Sequence, residues 1–491
     1  MSSPSVVNRF FRHSAIYAVG NALNRVGAFV LLPLYAHYLT VGEYGGLELF
    51  YAVSAVVSSL LSVGIAHATL RFYFEYEQAQ DRQEVVSTNL IASLMICGAG
   101  VVLIGSVVGP VAELAMGSRP SNLGLGLVLV TLVFELSSQV GLAYLRAREK
   151  SIFFVTVSLA KLVVQCIANV LLLSQFHAGV EGVLGGNLLA VVFGWVVVSA
   201  YTVRHCGLRF RWAKLKPVLR YSLPFLYVTV IASVSGNLDR FAVSRMLSLE
   251  ALGVFALATK FAKLISDLLG EPFSRAYGAF RFTIMDRPDA GDIQAALMRY
   301  MAAALAVVSL ALVYFTGDVV RWIATDAYAP AAALMPLLVV AASLHTLNYL
   351  LQTGILVNKS TGELVTITLA RSAAMLVVAF PLIWGFGLQG ACAIALCDAV
   401  VSVWLTNRIS QRYFPVHYDG GRLMTVVALL AGFYAAGTVL PSAGGPAIAA
   451  KLVLLAVFMA ALWRTQLSAA ERQAVHARLR LLLATGRSRT T

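Results

Sequence analysis

The sequence predicts an all-α integral membrane protein of fourteen transmembrane helices, built as two pseudo-symmetric six-helix lobes followed by two extra C-terminal helices. Three observations point there. Of 491 residues, 59% are hydrophobic and only 12% are charged, whereas a soluble globular protein carries about 25% charged residues. Apolar windows of about 20 residues, long enough to cross a hydrocarbon core of about 30 Å, recur along the whole chain. Three stretches of the first half return, in the same order, in the second.

The windows fall at 13–37, 47–68, 86–109, 122–145, 152–174, 179–203, 221–246, 250–270, 292–316, 328–353, 361–383, 387–408, 422–441 and 446–464. Pro33 in the first removes a backbone hydrogen bond and should bend it. Orientation follows from Lys and Arg in the connections. With the N-terminus cytoplasmic, the outer connections hold only Arg119, Arg245 and Arg321, and nearly all other loop cations lie inside. An odd number of spans would put the Arg-rich tail outside, so both termini are expected in the cytoplasm. The net charge of +14 is then mostly a collar facing anionic lipid, and no nucleic-acid partner is expected. Two cytoplasmic stretches, "GLRFRWAKLKPVLRY" (207–221) and "AAERQAVHARLRLLLATGRSR" (469–489), mix bulky apolar residues with cations as surface-lying helices do. The five cysteines have no CxxC or Cys/His spacing, so neither a metal nor another cofactor is expected.

The repeat rests on three matches. "VTVSLAK" (155–161) returns as "VTITLAR" (365–371), "GVEG" (179–182) as "GLQG" (387–390), and "YLTVGEYGGL" (38–47) as "MLSLEALGVF" (246–255), at offsets of 210, 208 and 208. This maps spans 1–6 onto 7–12 in the same orientation. The expected division is a first lobe at 1–210, a second at 211–415, two extra helices at 416–465 and a basic amphipathic cytoplasmic tail at 466–491. Repeated membrane halves belong mostly to transporters, whose substrate site lies at the repeat interface near the midplane. Rocking one half against the other then gives alternating access.

Charges inside spans mark the candidate site, because a cation at the bilayer centre costs about 2.5–3.5 kcal/mol. The deep cations are Arg25, Lys161, Arg240, Lys260, Lys263, Arg299 and Arg371, and the deep anions are Glu135, Asp239, Asp267 and Asp398. Lys161 and Arg371 are repeat mates. His345 stands at the repeat position of Glu135. Asn21 and Arg25 share a helix face, as do Ser233, Asn237, Arg240 and Ser244, and likewise Lys260, Lys263 and Asp267. Asp239 and Arg240 should point about 100° apart on a helix and so seek other partners, Lys260 or Lys263 for Asp239. Lys263 and Asp267 also have the spacing of a local ion pair. Cations outnumber anions, so the interior suits an anion, and a phosphate or diphosphate accepts charge-assisted hydrogen bonds from Arg and Lys. Arg25, Lys161, Arg240, Lys260, Lys263, Arg371, Asn21 and Asn237 are the expected head-group contacts. Glu135, Asp239, Asp267, Asp398 and His345 are the candidates for coupling to H+ or Na+.

"GNALNRVGAFVLLPLYAHYLTVGEYGGLELF" (20–50), "ATLRFYFEYE" (68–77) and "SLPFLYVTVIASVSGNLDRFAVSRMLSLEALGVFALATKF" (222–261) resemble the polysaccharide-synthesis flippases of O-antigen type. The resemblance implies a MATE-like fold of the MOP superfamily in the bacterial inner membrane. It implies transport, not catalysis: movement of an undecaprenyl-diphosphate-linked oligosaccharide from the inner to the outer leaflet, for lipopolysaccharide or exopolysaccharide. The head group would sit in a cationic cavity with the polyprenyl tail left in lipid. Partners would be that glycan lipid, membrane lipids and other polysaccharide assembly proteins. Asp239 and Arg240 match the family's Asp-Arg step. Three rival functions remain: a multidrug cation antiporter, which calls for an acidic cavity; a lipid II flippase, which differs in the head group; and a membrane glycosyltransferase or polymerase, which calls for a larger outer domain.

Overall fold

The computed structural model describes residue 27 and residues 29–116, 120–285, 287–439, 445–467 and 471–473. These are helical almost throughout, with no strand among the described residues. Ten of the helices are long and apolar enough to cross a membrane, or eleven when one bent pair is counted as a span. The chain is a multi-pass membrane protein. Asn21 and Arg25 lie outside the described residues, as does most of the basic tail.

The chain divides into two compact units. The first comprises Met1–Leu257, Ile323–Tyr328 and Thr368–Ile394. It holds α1 (Phe29–Tyr38), α2 (Val41–Leu61), α3 (Ile65–Glu75), α4 (Ala79–Met116), α5 (Asn122–Ala147), α6 (Ser151–Ser174), α7 (Gly179–Cys206), α8 (Trp212–Gly236) and α9 (Leu238–Met246). Its packing rests on buried apolar residues such as Ile65, Phe72, Val85, Leu90, Val140 and Val218, drawn from α3, α4, α5 and α8. Thr40 and Glu43 form a capping box at the start of α2: the Glu43 N–H donates to Thr40 Oγ1 at 3.2 Å, and the Thr40 N–H donates to Glu43 Oε2 at 2.8 Å.

The same segment meets its own repeat mate. A Cβ on Gly45 would stand 1.9 Å from the Leu249 carbonyl oxygen, and one on Gly253 would stand 2.2 Å from that of Val41. Val41 and Leu249 are mates at the offset of 208, and so are Gly45 and Gly253. The contact is therefore isologous, each partner making what the other makes.

The stretch from 207 to 221 is not one surface helix. Residues 207–211 are non-helical and bound to α4: Ser87 Oγ donates to the Gly207 carbonyl at 2.9 Å and accepts from the Arg209 N–H at 2.7 Å, and Thr88 Oγ1 accepts from the Arg211 N–H at 3.1 Å. Helix begins only at Trp212. Its first segment, Trp212–Leu223, is bent 48° from Leu226–Met246, at the Leu-Pro step.

The second unit comprises Ala258–Trp322, Ala329–Ile367 and Ala395–Thr491. The remaining helices are α10 (Leu249–Ile265), α11 (Glu271–Ile284), α12 (Ala290–Ile323), α13 (Ala331–Leu351), α14 (Thr353–Val357), α15 (Thr361–Tyr413), α16 (Gly420–Thr438) and α17 (Gly445–Gln466). Tyr314, Val426, Phe458 and Leu462 join α12, α16 and α17 in a common core. α15 would be about 80 Å long if continuous, far beyond any bilayer. It breaks at Gly387, whose φ of 57° and ψ of −132° are non-helical. A Cβ on Gly390 would stand 2.0 Å from the Leu382 carbonyl, so the chain doubles back there as two antiparallel helices, at the "GLQG" repeat motif.

Candidate functional site

In the first unit, α5 and α6 carry Glu135 and Lys161 to one place. Lys161 Nζ lies 3.8 Å from Glu135 Oε1, and the two side chains are 33% and 40% exposed. Both sit near the middle of their helices. The lysine stem passes α7 at Gly194: a Cβ there would meet Lys161 Cδ at 3.5 Å, an ordinary contact. α7 is held against α5 beside them: Trp195 Nε1 donates to Ser137 Oγ at 3.2 Å and stacks edge-on against Phe134. Sequence reasoning gave Lys161 and Glu135 separate roles, because residues 26 apart carry no local signal of contact.

Glu48 in α2 is buried, at 5% exposure. It lies with Tyr44, Tyr35 and Glu135 in electrostatic range of the Tyr51 hydroxyl. Asn169 Nδ2 donates to Tyr35 Oη at 2.7 Å, tying α6 to α1. Glu48 was not among the candidates. Its place at the second residue of the expected span 47–68, where it reads as an interface residue, concealed it, although a carboxylate inside an apolar window is itself the signal.

Asp239 and Arg240 do pair, contrary to the helical-wheel expectation. Arg240 Nη1 lies 3.6 Å from Asp239 Oδ1, and the same oxygen accepts from the Arg240 backbone N–H at 2.8 Å. The cause is local: the helix is interrupted at Asn237 (φ −120°, ψ 5°) and restarts at Leu238. Asp239 thus sits in a first turn, where it can accept from a backbone N–H left without a helical partner. Asn237 Nδ2 donates back to the Ser233 carbonyl at 2.8 Å, so these two polar residues serve the helix end. Arg371, in the first half of α15, is half-buried.

In the second unit, His345 of α13 faces Asp398 of α15, with Nε2 to Oδ2 at 3.3 Å. One turn on, Asn348 Nδ2 donates to Ser402 Oγ at 3.0 Å, so two polar rungs join these helices. Lys260 is half-buried and Lys263 is exposed on α10. The Lys263–Asp267 pair does not form. α10 widens into a π-turn at Ser266–Gly270, and the wider turn takes residues four apart off a common face. Arg299 binds Glu471 of the C-terminal segment at 2.6 Å. Arg281 of α11 is buried. Its Nε and Nη1 find no hydrogen-bond acceptor, and Tyr277 lies 5.2 Å away as a cation–π neighbour. Burial pushes its pKa down. A cavity of about 420 Å3 lies among α12, α13, α15 and α16, lined by Met298, Leu305, Leu347, Val426 and Leu430. No charged residue lines it, so it offers a diphosphate no charged partner. Among the described residues no three His, Cys, Asp or Glu side chains are placed to hold a metal.

Some ion pairs toward helix ends are tighter, Lys214–Asp81 at 2.6 Å, Lys451–Asp318 at 2.7 Å and Arg211–Glu84 at 3.1 Å, whereas Arg71–Glu75 and Arg209–Glu84 stand at 3.9 and 4.0 Å. The mid-helix pairs at 135/161 and 345/398 and the pair beside the helix break at 239/240 are looser and keep partial exposure.

The fold is shared with solved transporters. A lipid II flippase, MurJ, in an inward closed conformation aligns over 92% of this chain and 99% of its own, with TM-score 0.69 and 10% identity. An inward-facing multidrug MATE transporter of the MOP superfamily aligns over 82% and 96%, with TM-score 0.62 and 14% identity. A protein of the Lsg locus of Haemophilus influenzae is 21% identical over 264 residues, which cover 52% of this chain and 62% of that protein. Residues 34–333 match the family of polysaccharide biosynthesis proteins, well over half of the sequence. The chain therefore belongs to the polysaccharide biosynthesis protein family.

Proposed function

We propose that this chain is a flippase that moves a polyprenyl-diphosphate-linked oligosaccharide from the inner to the outer leaflet of the bacterial cytoplasmic membrane, by alternating access, for assembly of a surface polysaccharide such as O-antigen. The observation that carries the reading is Lys161. It is a cation at the middle of a membrane helix, held only by a loose and half-open ion pair, in a chain of a polysaccharide biosynthesis family. A charge in that position faces protein or water rather than lipid, and an ammonium that is not locked away suits a phosphate oxygen. Arg371 is its repeat mate; Arg25, Arg240, Lys260 and Lys263, with Asn21 and Asn237, complete the proposed head-group contacts. Coupling to H+ or Na+ falls to His345 and Asp398, which face each other, with Glu135, Asp239 and Asp267 as further acids.

The topology follows the same reading. The reversal at Gly387 makes two spans of α15, the bent pair 212–246 makes one, and α10 with its π-turn makes another. With a first span through residues 29–38, these bring the number to fourteen, with both termini in the cytoplasm.

The test is deletion of the gene, followed by measurement of surface polysaccharide and of lipid-linked glycan in each leaflet. The reading expects loss of one surface glycan and build-up of its lipid-linked repeat on the cytoplasmic side. A strain with every surface glycan intact and raised sensitivity to cationic drugs would favour the antiporter. Arrested peptidoglycan synthesis with lipid II retained inside would favour a lipid II flippase, the function named for the structure with TM-score 0.69.

A further inference from the structure

We infer that Glu135 is an internal stand-in for the substrate's diphosphate: it holds Lys161 when the site is empty and is displaced when the head group arrives. The inference rests on the proposed flippase reading and assigns to Glu135 a role other than ion coupling.

The geometry of the pair is the ground for this. A separation of 3.8 Å is longer than a hydrogen bond, so Lys161 and Glu135 attract one another without being locked. Partly exposed pairs of this kind contribute only about 0–1 kcal/mol. The pairs near helix ends at 2.6–2.7 Å are closed contacts by comparison. The partners stand on separate, adjacent helices, α5 and α6. The Lys161 stem runs past α7 at Gly194, where a Cβ would stand 3.5 Å from Lys161 Cδ.

A diphosphate diester brings two negative charges and several acceptor oxygens against one charge on Glu135. It therefore wins the ammonium. The displaced carboxylate is then a like charge beside the phosphates and is pushed away from them, so arrival of the head group is felt on α5. In the empty state the carboxylate keeps a mid-span ammonium from standing uncompensated, which would be costly.

The test is calorimetric titration of the full-length protein in lipid nanodiscs with inorganic pyrophosphate and, separately, farnesyl diphosphate. Glu135→Gln is expected to bind both about 5- to 10-fold tighter than wild type, the size of a modest coupling between two sites. Lys161→Met is expected to bind at least about tenfold weaker. The double variant should match Lys161→Met, because competition vanishes with the contested ammonium. Glu135→Asp keeps the charge but draws it back by one methylene, and it should give an intermediate gain; it carries the test alone if Glu135→Gln does not fold. Unchanged or weaker binding in the Glu135 variants overturns the inference. So does an equal gain in the Lys161→Met background, which would mean a long-range field rather than exchange. Farnesyl diphosphate should bind tighter than pyrophosphate; equal affinity would assign the exchange to free phosphates and overturn the lipid-linked substrate. A deletion strain with normal glycan export would refute the flippase reading while leaving a measured exchange at Lys161 intact, so the two failures are distinct.

Discussion

At the scale of the residue, the charges differ in how firmly they are held. Glu84 is almost wholly buried and reaches Arg211 at 3.1 Å, whereas Arg211 itself is exposed. Such a contact fixes the 207–211 segment to α4. In the proposed reading Lys161 faces the opposite demand and must stay exchangeable. Lys161→Met is therefore expected to leave the protein in the membrane and to lower glycan export by tenfold or more, the effect of losing a charge-assisted contact of about 1.5–3 kcal/mol. Vesicle export assays with immunoblot normalisation check it, and wild-type export would count against the site. Arg281 offers a contrasting case: a buried guanidinium whose Nε and Nη1 lack acceptors is a cost to folding. Arg281→Met should leave the thermal midpoint unchanged or raise it, and a drop of several degrees would show that the charge is compensated. The identity of the deep charges was legible from the sequence, because a charge inside an apolar window stands out. Their pairing was not. The Glu135–Lys161 and His345–Asp398 contacts are tertiary, and the Asp239–Arg240 contact depends on a helix break just after Gly236, a breaker signal that the reading of 221–246 as one continuous span passed over.

At the scale of the element, two glycine sites carry the architecture. α2 and α10 meet through Gly45 and Gly253, where any side chain would collide with a carbonyl of the repeat mate. Gly45→Val and Gly253→Val should each destabilise by about 1–3 kcal/mol, as overpacking does, and by similar amounts because the contact is reciprocal. Thermal melts in one detergent check this; a large effect at one position and none at the other would contradict the symmetry. Gly387 has φ of 57°, where a side chain is strained. Gly387→Ala should cost about 1–3 kcal/mol. A melt equal to wild type would mean that the reversal does not depend on glycine at that position. Span limits were largely legible, since apolar length is a one-dimensional signal: the windows 361–383 and 387–408 flank the reversal at Gly387. The bend in span 7 had a signal in Pro224 that the reading of 221–246 as one span did not use; the π-turn after α10 was not legible, because a widened turn inside an apolar run leaves its composition unchanged.

At the scale of the whole molecule, the repeat and the excess of deep cations in the sequence lead to the central proposal, that this membrane protein of a polysaccharide biosynthesis family recognises its cargo by the diphosphate. The repeat was visible as three short matches, and the reciprocal contact of 41/249 with 45/253 is its physical counterpart. The measurement that tests the claim most directly uses the purified chain in proteoliposomes containing a glycan on polyprenyl diphosphate or on polyprenyl monophosphate, with transfer between leaflets followed by accessibility to an external glycosidase. The account predicts rapid transfer of the diphosphate-linked glycan, much slower transfer of the monophosphate-linked one, and loss of the difference in Lys161→Met. Equal transfer of both lipids by wild type, or full discrimination by Lys161→Met, would contradict it.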